Sequence, residues 1–272
     1  PNLMGVEVCE ELIPDVPQVV TFDTAFHQSI PEHSYMYALP YEYYENYSIR
    51  RYGFHGTSHK FVAHKAAQEM EKDIEDLKII TCHLGNGASV TAVKNGESYD
   101  TSMGLTPLEG LVMGTRCGDL DPAAVPFIME KEDLSPSEMD KIMNNESGLL
   151  GVSGISSDMR DIMENKDNNQ RAQVAFDMFV YRIKKYIGSY TAAMNGVDAV
   201  VFTAGIGENA IGIREEVCEE LDYLGIEIDS EKNDVRGKTQ EISADSSAVK
   251  LFTIPTNEEL VIARDTKELV SE

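Results

Sequence analysis

Residues 77–90 carry the sequence LKIITCHLGNGASV, which predicts two β-strands joined by a glycine-rich loop. Residues 77–82 are apolar and rich in β-formers, and a second β-like run covers residues 89–93. Asn95-Gly96 follows, and this dipeptide is the strongest short signal for a hairpin, so we expect a third strand after it. The loop therefore joins two strands and does not lead into a helix.

The loop His83-Leu84-Gly85-Asn86-Gly87 between these strands is a candidate phosphate cradle. Two glycines and an asparagine permit positive φ angles and a close approach of the backbone to a ligand. Successive backbone N–H groups in such a loop form a concave site for anions. A plain glycine-rich hairpin turn explains the same residues equally well.

Composition limits the classes of function. The chain has 272 residues, enough for one large domain or two small ones, and a net charge of −24 from 47 acidic and 23 basic residues. This charge argues against a general nucleic-acid binder, which needs a basic face. The four cysteines are widely spaced and form no CxxC motif, so we expect buried free thiols and a cytoplasmic location. We expect neither a membrane-spanning segment nor a signal peptide.

Two polar side chains before the hairpin are candidates for the site. Residues 18–22, QVVTF, predict a strand, and Asp23 follows at its carboxyl end, where open α/β sheets bind ligands. His55 lies between glycines in a loop that precedes a predicted helix over residues 58–72, where it can donate a hydrogen bond to a phosphoryl oxygen. A turn-capping role for Asp23 and a structural role for His55 remain alternatives.

Arg116 ends a glycine-rich loop after the hairpin. Asp121 as N-cap and Pro122 as the first helical residue predict a helix to Glu130, and residues 135–138, SPSE, predict a capping box for another. An arginine in such a loop suits bidentate binding of a phosphate or a carboxylate. A surface ion pair is the alternative for Arg116.

The second half of the chain contains the longest predicted helix. Residues 157–160, SDMR, open a short helix, and the long helix follows them. Apolar side chains recur on it at helical spacing, which indicates a buried face. These side chains belong to Ala172, Ala175, Phe176, Phe179, Val180, Ile183, Ile187 and Tyr190.

A strand, a Gly-x-Gly segment and a helix follow one another near the end of the chain. Residues 198–203, DAVVFT, predict a strand buried on both faces, and it runs into Gly205-Ile206-Gly207 and then a helix that ends at Gly225. This order brings backbone groups and a helix N-terminus to a nucleotide, although a bare GxG is a weak signal. Residues 249–254 predict another strand.

The terminal helix is predicted to start from a capping box, residues 256–259, TNEE. Glu258 would project from its first turn as a candidate ligand of a metal ion. A favourable interaction with the helix dipole is the alternative role for this carboxylate.

Six of these stretches together resemble the acetate kinase family, in order and in spacing. They are FDTAFHQ (22–28), YGFHGTSH (52–59), CHLGNGAS (82–89), SMGLTPLEGLVMGTR (102–116), TAGIGEN (203–209) and IPTNEEL (254–260). The resemblance implies an α/β fold with an actin-like, ribonuclease H-like ATPase domain, built on a mixed sheet with flanking helices. It also implies that residues 1–25 are the tail end of an N-terminal domain, residues 26–257 a C-terminal nucleotide-binding domain, and residues 258–272 a helix that returns to the first domain.

The resemblance implies a role for each site residue. His55 and Arg116 would stabilise the transferring phosphoryl group, and Asp23 and Glu258 would support Mg²⁺ or Mn²⁺. Phe54 and Pro107 would line the pocket for the methyl group of acetate. The nucleotide would contact His83, Leu84, Gly85, Asn86, Gly87, Asp158, Met159, Arg160, Gly205, Ile206, Gly207, Glu208 and Asn209.

The implied activity is the reversible, ATP-dependent phosphorylation of acetate to acetyl phosphate by direct in-line transfer. A propionate or butyrate kinase of the same family is a near alternative, because a methylene changes binding by only ~1–3 kcal/mol. The family's asparagine- and serine-rich phosphate loop is not in this sequence, so a non-catalytic nucleotide-binding module that binds ADP is a further alternative. The resemblance also implies a homodimer, with residues 35–47 and 170–193 as candidate surfaces. The sequence contains no GxSxG motif, so it gives no support to a hydrolase.

Overall fold

A six-stranded mixed sheet forms the centre of the computed structural model, which describes residues 2–271. The strands are β1 (Lys78–Leu84), β2 (Ala88–Lys94), β3 (Glu97–Thr101), β4 (Ala199–Thr203), β5 (Gln240–Glu241) and β6 (Lys250–Thr253), in the order β3-β2-β1-β4-β6-β5. The predicted hairpin is confirmed, since β1 and β2 pair antiparallel from Lys78↔Lys94 to Leu84↔Ala88. Strand β4 pairs in parallel with both β1 and β6, so the α/β class with a mixed sheet is confirmed as well.

Thirteen α-helices surround the sheet within the described residues. They are α1 (Asn2–Leu12), α2 (Glu32–Tyr35), α3 (Glu42–Tyr47), α4 (Gly56–Glu69), α5 (Ala124–Glu132), α6 (Pro136–Lys141), α7 (Gly148–Ser153), α8 (Met159–Asn165), α9 (Gln170–Met194), α10 (Ala204–Asn209), α11 (Ile211–Cys218), α12 (Ser230–Asn233) and α13 (Glu258–Ser271). Short 3₁₀ turns occupy Ala25–Ser29, Ile74–Asp76 and Asp222–Leu224, and a π-helical turn occupies Ile142–Glu146.

The sheet is covered on both faces, because successive side chains of a strand point to opposite sides. On β1, Ile80, Cys82 and Leu84 belong to the larger core, which the stripe on α9 completes. Ile79 belongs to the smaller core on the other face, which helix α4 covers. The eight predicted α9 positions are all buried, as expected for a core-facing stripe.

One predicted strand is absent. Residues 18–22 form no regular structure and pair with no strand in the described part of the chain. Val20 is 49% exposed and Phe22 65% exposed, so neither side chain has the cover that stabilises an apolar strand. Asp23 consequently lies in a turn and not at the end of a strand.

Several helix boundaries differ from those predicted. Helix α4 begins at Gly56 and ends at Glu69, and α5 begins at Ala124 because Asp121 and Pro122 form the turn before it. The capping box of α6 is confirmed at Ser135 and Glu138.

The start of α13 also differs. The side chain of Asn257 accepts the N–H of Leu260, at 3.0 Å, so Asn257 caps this helix and not the predicted Thr256.

The segment after β4 is helical from its first residue. The predicted Gly-x-Gly loop is part of α10, and the predicted single helix to Gly225 is divided into α10, α11 and a 3₁₀ turn. Ala204 makes this abrupt entry possible by adopting a φ of +64°.

None of the helices among residues 2–271 combines the length and the apolar composition needed to cross a membrane. The four cysteines are free thiols. Cys82 and Cys218 are buried as predicted, whereas Cys117 is half-buried and Cys9 is exposed, so the expectation of burial is wrong for Cys9.

Candidate active site

His55 is held at the start of α4 by hydrogen bonds that Asp23 accepts from the backbone of residues 55 and 56. Its φ is +56°, in the left-handed region that few residues other than glycine adopt. The carboxylate of Asp23 accepts the backbone N–H of His55 at 2.6 Å, and the carbonyl of Asp23 accepts the N–H of Gly56 at 2.8 Å. A Cβ atom at Gly56 would lie 2.4 Å from that carbonyl oxygen, so only glycine fits there.

The imidazole of His55 is clamped by two neighbours. Its Nδ1 lies 2.9 Å from the Ser89 hydroxyl, and its ring stacks on the ring of His83 with centroids 4.1 Å apart. Burial lowers the pKa of His55, the Asp23 charge raises it, and the nearby Arg116 guanidinium lowers it further. Burial also lowers the pKa of His83 to about 3. Both rings are therefore neutral at pH 7.

Arg116 and His55 converge on Gly87. A Cβ atom at Gly87 would lie 3.4 Å from Nη2 of Arg116 and 3.5 Å from Nε2 of His55. The Nη1 of Arg116 donates to the carbonyl of Pro107 at 2.9 Å, and no carboxylate in the described chain lies within ion-pair distance of this guanidinium. A cation without a counter-ion, beside an imidazole and an open backbone, is a site for an anion.

Asp23 and Glu258 approach the same region from two distant parts of the chain. Burial raises the pKa of Glu258, and the negative charge of Asp23 raises it further. Two neighbouring carboxylates that repel each other suit a divalent cation, and Mg²⁺ uses one or two carboxylates together with phosphate oxygens and water. The described residues contain no group of three metal-binding side chains, so any metal here would take its other ligands from a substrate and water.

The Gly85-Asn86-Gly87 loop differs from prediction in its backbone. None of its residues has a positive φ. Close approach favours glycine at Gly85, where a Cβ atom would lie 3.2 Å from the carbonyl oxygen of Gly87, whereas a Cβ atom at Gly87 would be in ordinary contact with Arg116 and His55. The side chain of Asn86 lies over Gly114, where a Cβ atom would be 2.0 Å from its Oδ1.

A cavity of about 930 Å³ opens beside this loop. Eight of the predicted nucleotide-binding residues line it: Gly85, Asn86, Asp158, Met159, Arg160, Gly205, Ile206 and Asn209. Asp158 caps α8, and hydrogen bonds from Arg160 lower the pKa of Asp158 to about 2. Arg160 is thus held at the cavity wall by its own neighbour.

The other five predicted nucleotide residues lie outside the cavity lining: His83, Leu84, Gly87, Gly207 and Glu208. Leu84 is fully buried, and the Nδ1 of His83 lies 2.8 Å from the hydroxyl of Ser58. Gly207 packs α10 against β4, with a Cβ atom placed 3.2 Å from the backbone of Phe202. The carboxylate of Glu208 accepts the N–H of Ala204 at 2.9 Å, so its side chain caps α10.

Three groups at the site escaped the sequence interpretation. Arg236 lines the cavity, and its Nε donates to the carbonyl of Asn209 at 3.2 Å. The buried Arg214 donates to the carbonyl of Gly207 at 2.9 Å and so holds α10 from below. His59 lies inside the quoted YGFHGTSH motif, one helical turn after His55, and that spacing was the available signal. Nothing in the local sequence marks Arg214 or Arg236.

Comparisons with known proteins extend over almost the whole chain. The sequence profile of the acetokinase family matches residues 1–264. An acetate kinase of Halothermothrix orenii is 66% identical over 270 residues, which are 99% of this chain and 68% of that protein. An acetate kinase of Alkaliphilus metalliredigens is 64% identical over 271 residues, again 99% of this chain and 68% of the relative.

Solved structures with a similar fold come from the same kind of kinase. The crystal structure of Porphyromonas gingivalis acetate kinase gives a TM-score of 0.96 at 50% identity, covering 99% of this chain and 68% of that one. A propionate kinase from Francisella tularensis gives a TM-score of 0.90 at 43% identity, covering 97% and 67%. The chain belongs to the acetokinase family.

Proposed function

We propose that this chain catalyses the reversible transfer of the γ-phosphoryl group of ATP to acetate, giving acetyl phosphate and ADP. The observation that carries this proposal is the convergence of Arg116 and His55 on Gly87, in the loop whose residues Gly85 and Asn86 line a cavity large enough for a nucleotide. The names of the relatives, acetate kinases at 66% and 64% identity, support the choice of substrate.

The nucleotide would occupy the cavity with its phosphates toward Gly87. The adenosine would lie between the α8 start at Asp158–Arg160 and the α10 residues Gly205, Ile206 and Asn209, which all line the cavity. The loop Gly85-Asn86-Gly87 would then contact the phosphates through its backbone. Four further residues would hold this loop and α10 in place without contacting the nucleotide: His83, Leu84, Gly207 and Glu208.

Arg116 and His55 would stabilise the transferring phosphoryl group. The transition state of phosphoryl transfer is loose and concentrates charge on the equatorial oxygens, so catalysis depends on positioning and on electrostatic stabilisation. The acetate carboxylate is ionised at pH 7 and needs no general base. Phe54, which precedes His55, and Pro107, whose carbonyl holds Arg116, would contact the methyl group.

Asp23 and Glu258 would hold a magnesium ion at this site. When bound there, the ion would supply positive charge that offsets the charge of the phosphates. Burial and, after it, the negative charge of Asp23 raise the pKa of Glu258, and a cation between the two carboxylates would offset both effects, which supports this assignment. Asp23 has a second task, because its Oδ2 also fixes the backbone of His55.

We further propose a homodimer and the division of the chain at residues 25 and 257. Exposed apolar side chains on the 35–47 segment, namely Leu39, Tyr41, Tyr43 and Tyr47, and on α9, namely Val174, Met178 and Tyr181, support the two candidate surfaces. All six strands lie between residues 26 and 257, which supports a single nucleotide-binding domain over that range.

The test is acetyl phosphate formation by the purified chain, trapped as the hydroxamate, with ATP, Mg²⁺ and either acetate or propionate. We expect product from acetate and a higher kcat/KM for acetate than for propionate. A higher kcat/KM for propionate would make the chain a propionate kinase. ADP binding without product from either acid would leave a nucleotide-binding module and refute the proposal.

A further inference from the structure

Four histidines form a cluster beneath the Gly87 loop. They are His27, His55, His59 and His83, and all four are buried or half-buried. The ring of His59 lies 5.8 Å from that of His27, 6.4 Å from that of His55 and 6.0 Å from that of His83, measured between centroids. No carboxylate pairs with any of these rings in the described chain; their partners are hydroxyl and carbonyl groups.

Ser89 joins two of the rings. Its hydroxyl lies 2.9 Å from Nδ1 of His55 and 2.7 Å from Nε2 of His59. The other nitrogen of His59, Nδ1, lies 2.7 Å from the hydroxyl of Thr81 on β1. Thr81, His59 and Ser89 are each 0% exposed, so no water competes for these bonds. The four groups form a continuous row, Thr81–His59–Ser89–His55.

Proton counting links the two rings. A hydroxyl has one proton, so Ser89 can donate to only one imidazole and must accept from the other. If Ser89 donates to Nδ1 of His55, His59 must donate from Nε2, and both neutral rings then carry their proton on Nε2. If Ser89 donates to Nε2 of His59, both neutral rings carry it on Nδ1.

An anion against Gly87 selects between these states. Its unprotonated oxygen would face Nε2 of His55 and can only accept a hydrogen bond, so it favours the proton on Nε2. Ser89 must then donate to the bare Nδ1 of His55, His59 must donate to Ser89, and Thr81 must donate to Nδ1 of His59. In the opposite state, a lone pair of His55 would point at the anion and repel it.

We propose that Thr81, His59 and Ser89 are positioning residues that fix His55 as a neutral donor from Nε2 when a phosphoryl group lies against Gly87. This inference rests on the proposed function for the identity of the anion. The row itself depends only on the contacts between buried side chains. His27 illustrates the same logic, because the carbonyl of Phe54, 2.9 Å from its Nε2, already fixes its proton on that nitrogen.

The test is ¹⁵N NMR of the imidazole nitrogens in the ¹⁵N-histidine-labelled chain, with and without inorganic phosphate. The ¹⁵N shifts distinguish the two neutral tautomers and the doubly protonated ring. We expect His55 and His59 to share the same protonated nitrogen in both samples, and we expect Nε2 in phosphate. In Ser89→Ala, the His55 proton should shift at least partly to Nδ1. Ser98→Ala, which removes the buried hydroxyl 2.8 Å from Nδ1 of His27, is the control and should leave His55 unchanged.

Three results would overturn the inference. They are protons on different nitrogens of His55 and His59, a doubly protonated His55 in phosphate, and a His55 tautomer that Ser89→Ala does not alter. The proposed function fails separately: linked tautomers that both keep their proton on Nδ1 in saturating phosphate would leave the row intact and count against an anion site at Gly87.

Discussion

Replacement of Arg116 by alanine should reduce kcat by about three orders of magnitude. No carboxylate among the described residues lies within ion-pair distance of this guanidinium. The guanidinium faces the backbone of Gly87, which has no side chain between it and a ligand. A unit charge about 4 Å from a phosphoryl oxygen, at an effective dielectric constant of about 20, contributes about 4 kcal/mol. If this interaction is made mainly in the transition state, its loss slows the reaction about a thousandfold.

The fold should survive this substitution. Arg116 makes one side-chain hydrogen bond to an oxygen, that to the carbonyl of Pro107, whose loss costs about 1 kcal/mol of the free energy of unfolding. We therefore expect a nearly unchanged thermal midpoint and an ADP affinity within about threefold of wild type, since ADP lacks the transferred group. Arg116→Lys keeps the charge but not the planar guanidinium, so its kcat should lie between those of Arg116→Ala and the wild type.

The assay is steady-state acetyl phosphate formation with ATP, Mg²⁺ and acetate, accompanied by ADP titration. Arg264→Ala is the matched control, because Arg264 is exposed on α13 and its loss should change kcat less than about twofold. An Arg116→Ala enzyme that retains more than about a tenth of the wild-type kcat would refute the reasoning.

Three further predictions follow from the same contacts. Glu258→Gln should raise the Mg²⁺ concentration required for half-maximal rate at least about tenfold, measured by Mg²⁺ titration of activity, because one of two carboxylates is lost. Ala204→Gly should increase the free energy of unfolding in urea by about 1 kcal/mol, because Ala204 has a φ of +64°. Burial lowers the pKa of His27 to about 4 and that of His83 to about 3. Unfolding restores the ordinary pKa of 6.5, so the unfolded chain takes up protons at these histidines as the pH falls through that value. These two groups should lower the free energy of unfolding by about 2–3 kcal/mol between about pH 7.5 and 5.5, and His59, whose pKa burial also lowers, should add to the fall.

Each of these has a control on the same chain. Glu259→Gln, at the exposed neighbour of Glu258, should leave the Mg²⁺ dependence unchanged. Ala175→Gly, in the middle of α9, should destabilise by about 1 kcal/mol where Ala204→Gly stabilises. For the pH dependence the control is the range above about pH 7.5, where the two rings bind no proton in either state and should not change the free energy of unfolding. An equal effect of a substitution and its control would contradict the corresponding prediction.

The elements that the sequence predicted well carry their information locally. The β1–β2 hairpin follows from two apolar runs and a glycine-rich break, and the α9 stripe from eight positions at one spacing. The strand expected at residues 18–22 is absent because a run of five residues, QVVTF, does not reveal whether a partner strand exists. Asn257 and not Thr256 caps α13. The sequence alone could not choose between them, because both residue types are good N-caps.

The convergence of the site could be inferred only through the family resemblance. Arg116 reaches Gly87 because the loop before it folds back over Asn86, through the Gly114 contact. Arg236 reaches the cavity from a segment that Arg214 anchors, by donating to the carbonyls of Asn233 and Val235. These are contacts between distant segments, and no local pattern encodes them.

His55 connects the two charge types of the site. Its backbone N–H binds the carboxylate of Asp23, and its ring faces the guanidinium of Arg116. A neutral ring in this place adds a donor without adding a second cation beside Arg116, whereas an imidazolium would be repelled by that guanidinium. The chain is acidic overall, at −24, yet the positive charge beside Gly87 comes from Arg116, a guanidinium that keeps its proton at neutral pH. The hydroxyl row behind His55 supplies the remaining requirement, a proton on the nitrogen that faces the phosphoryl group.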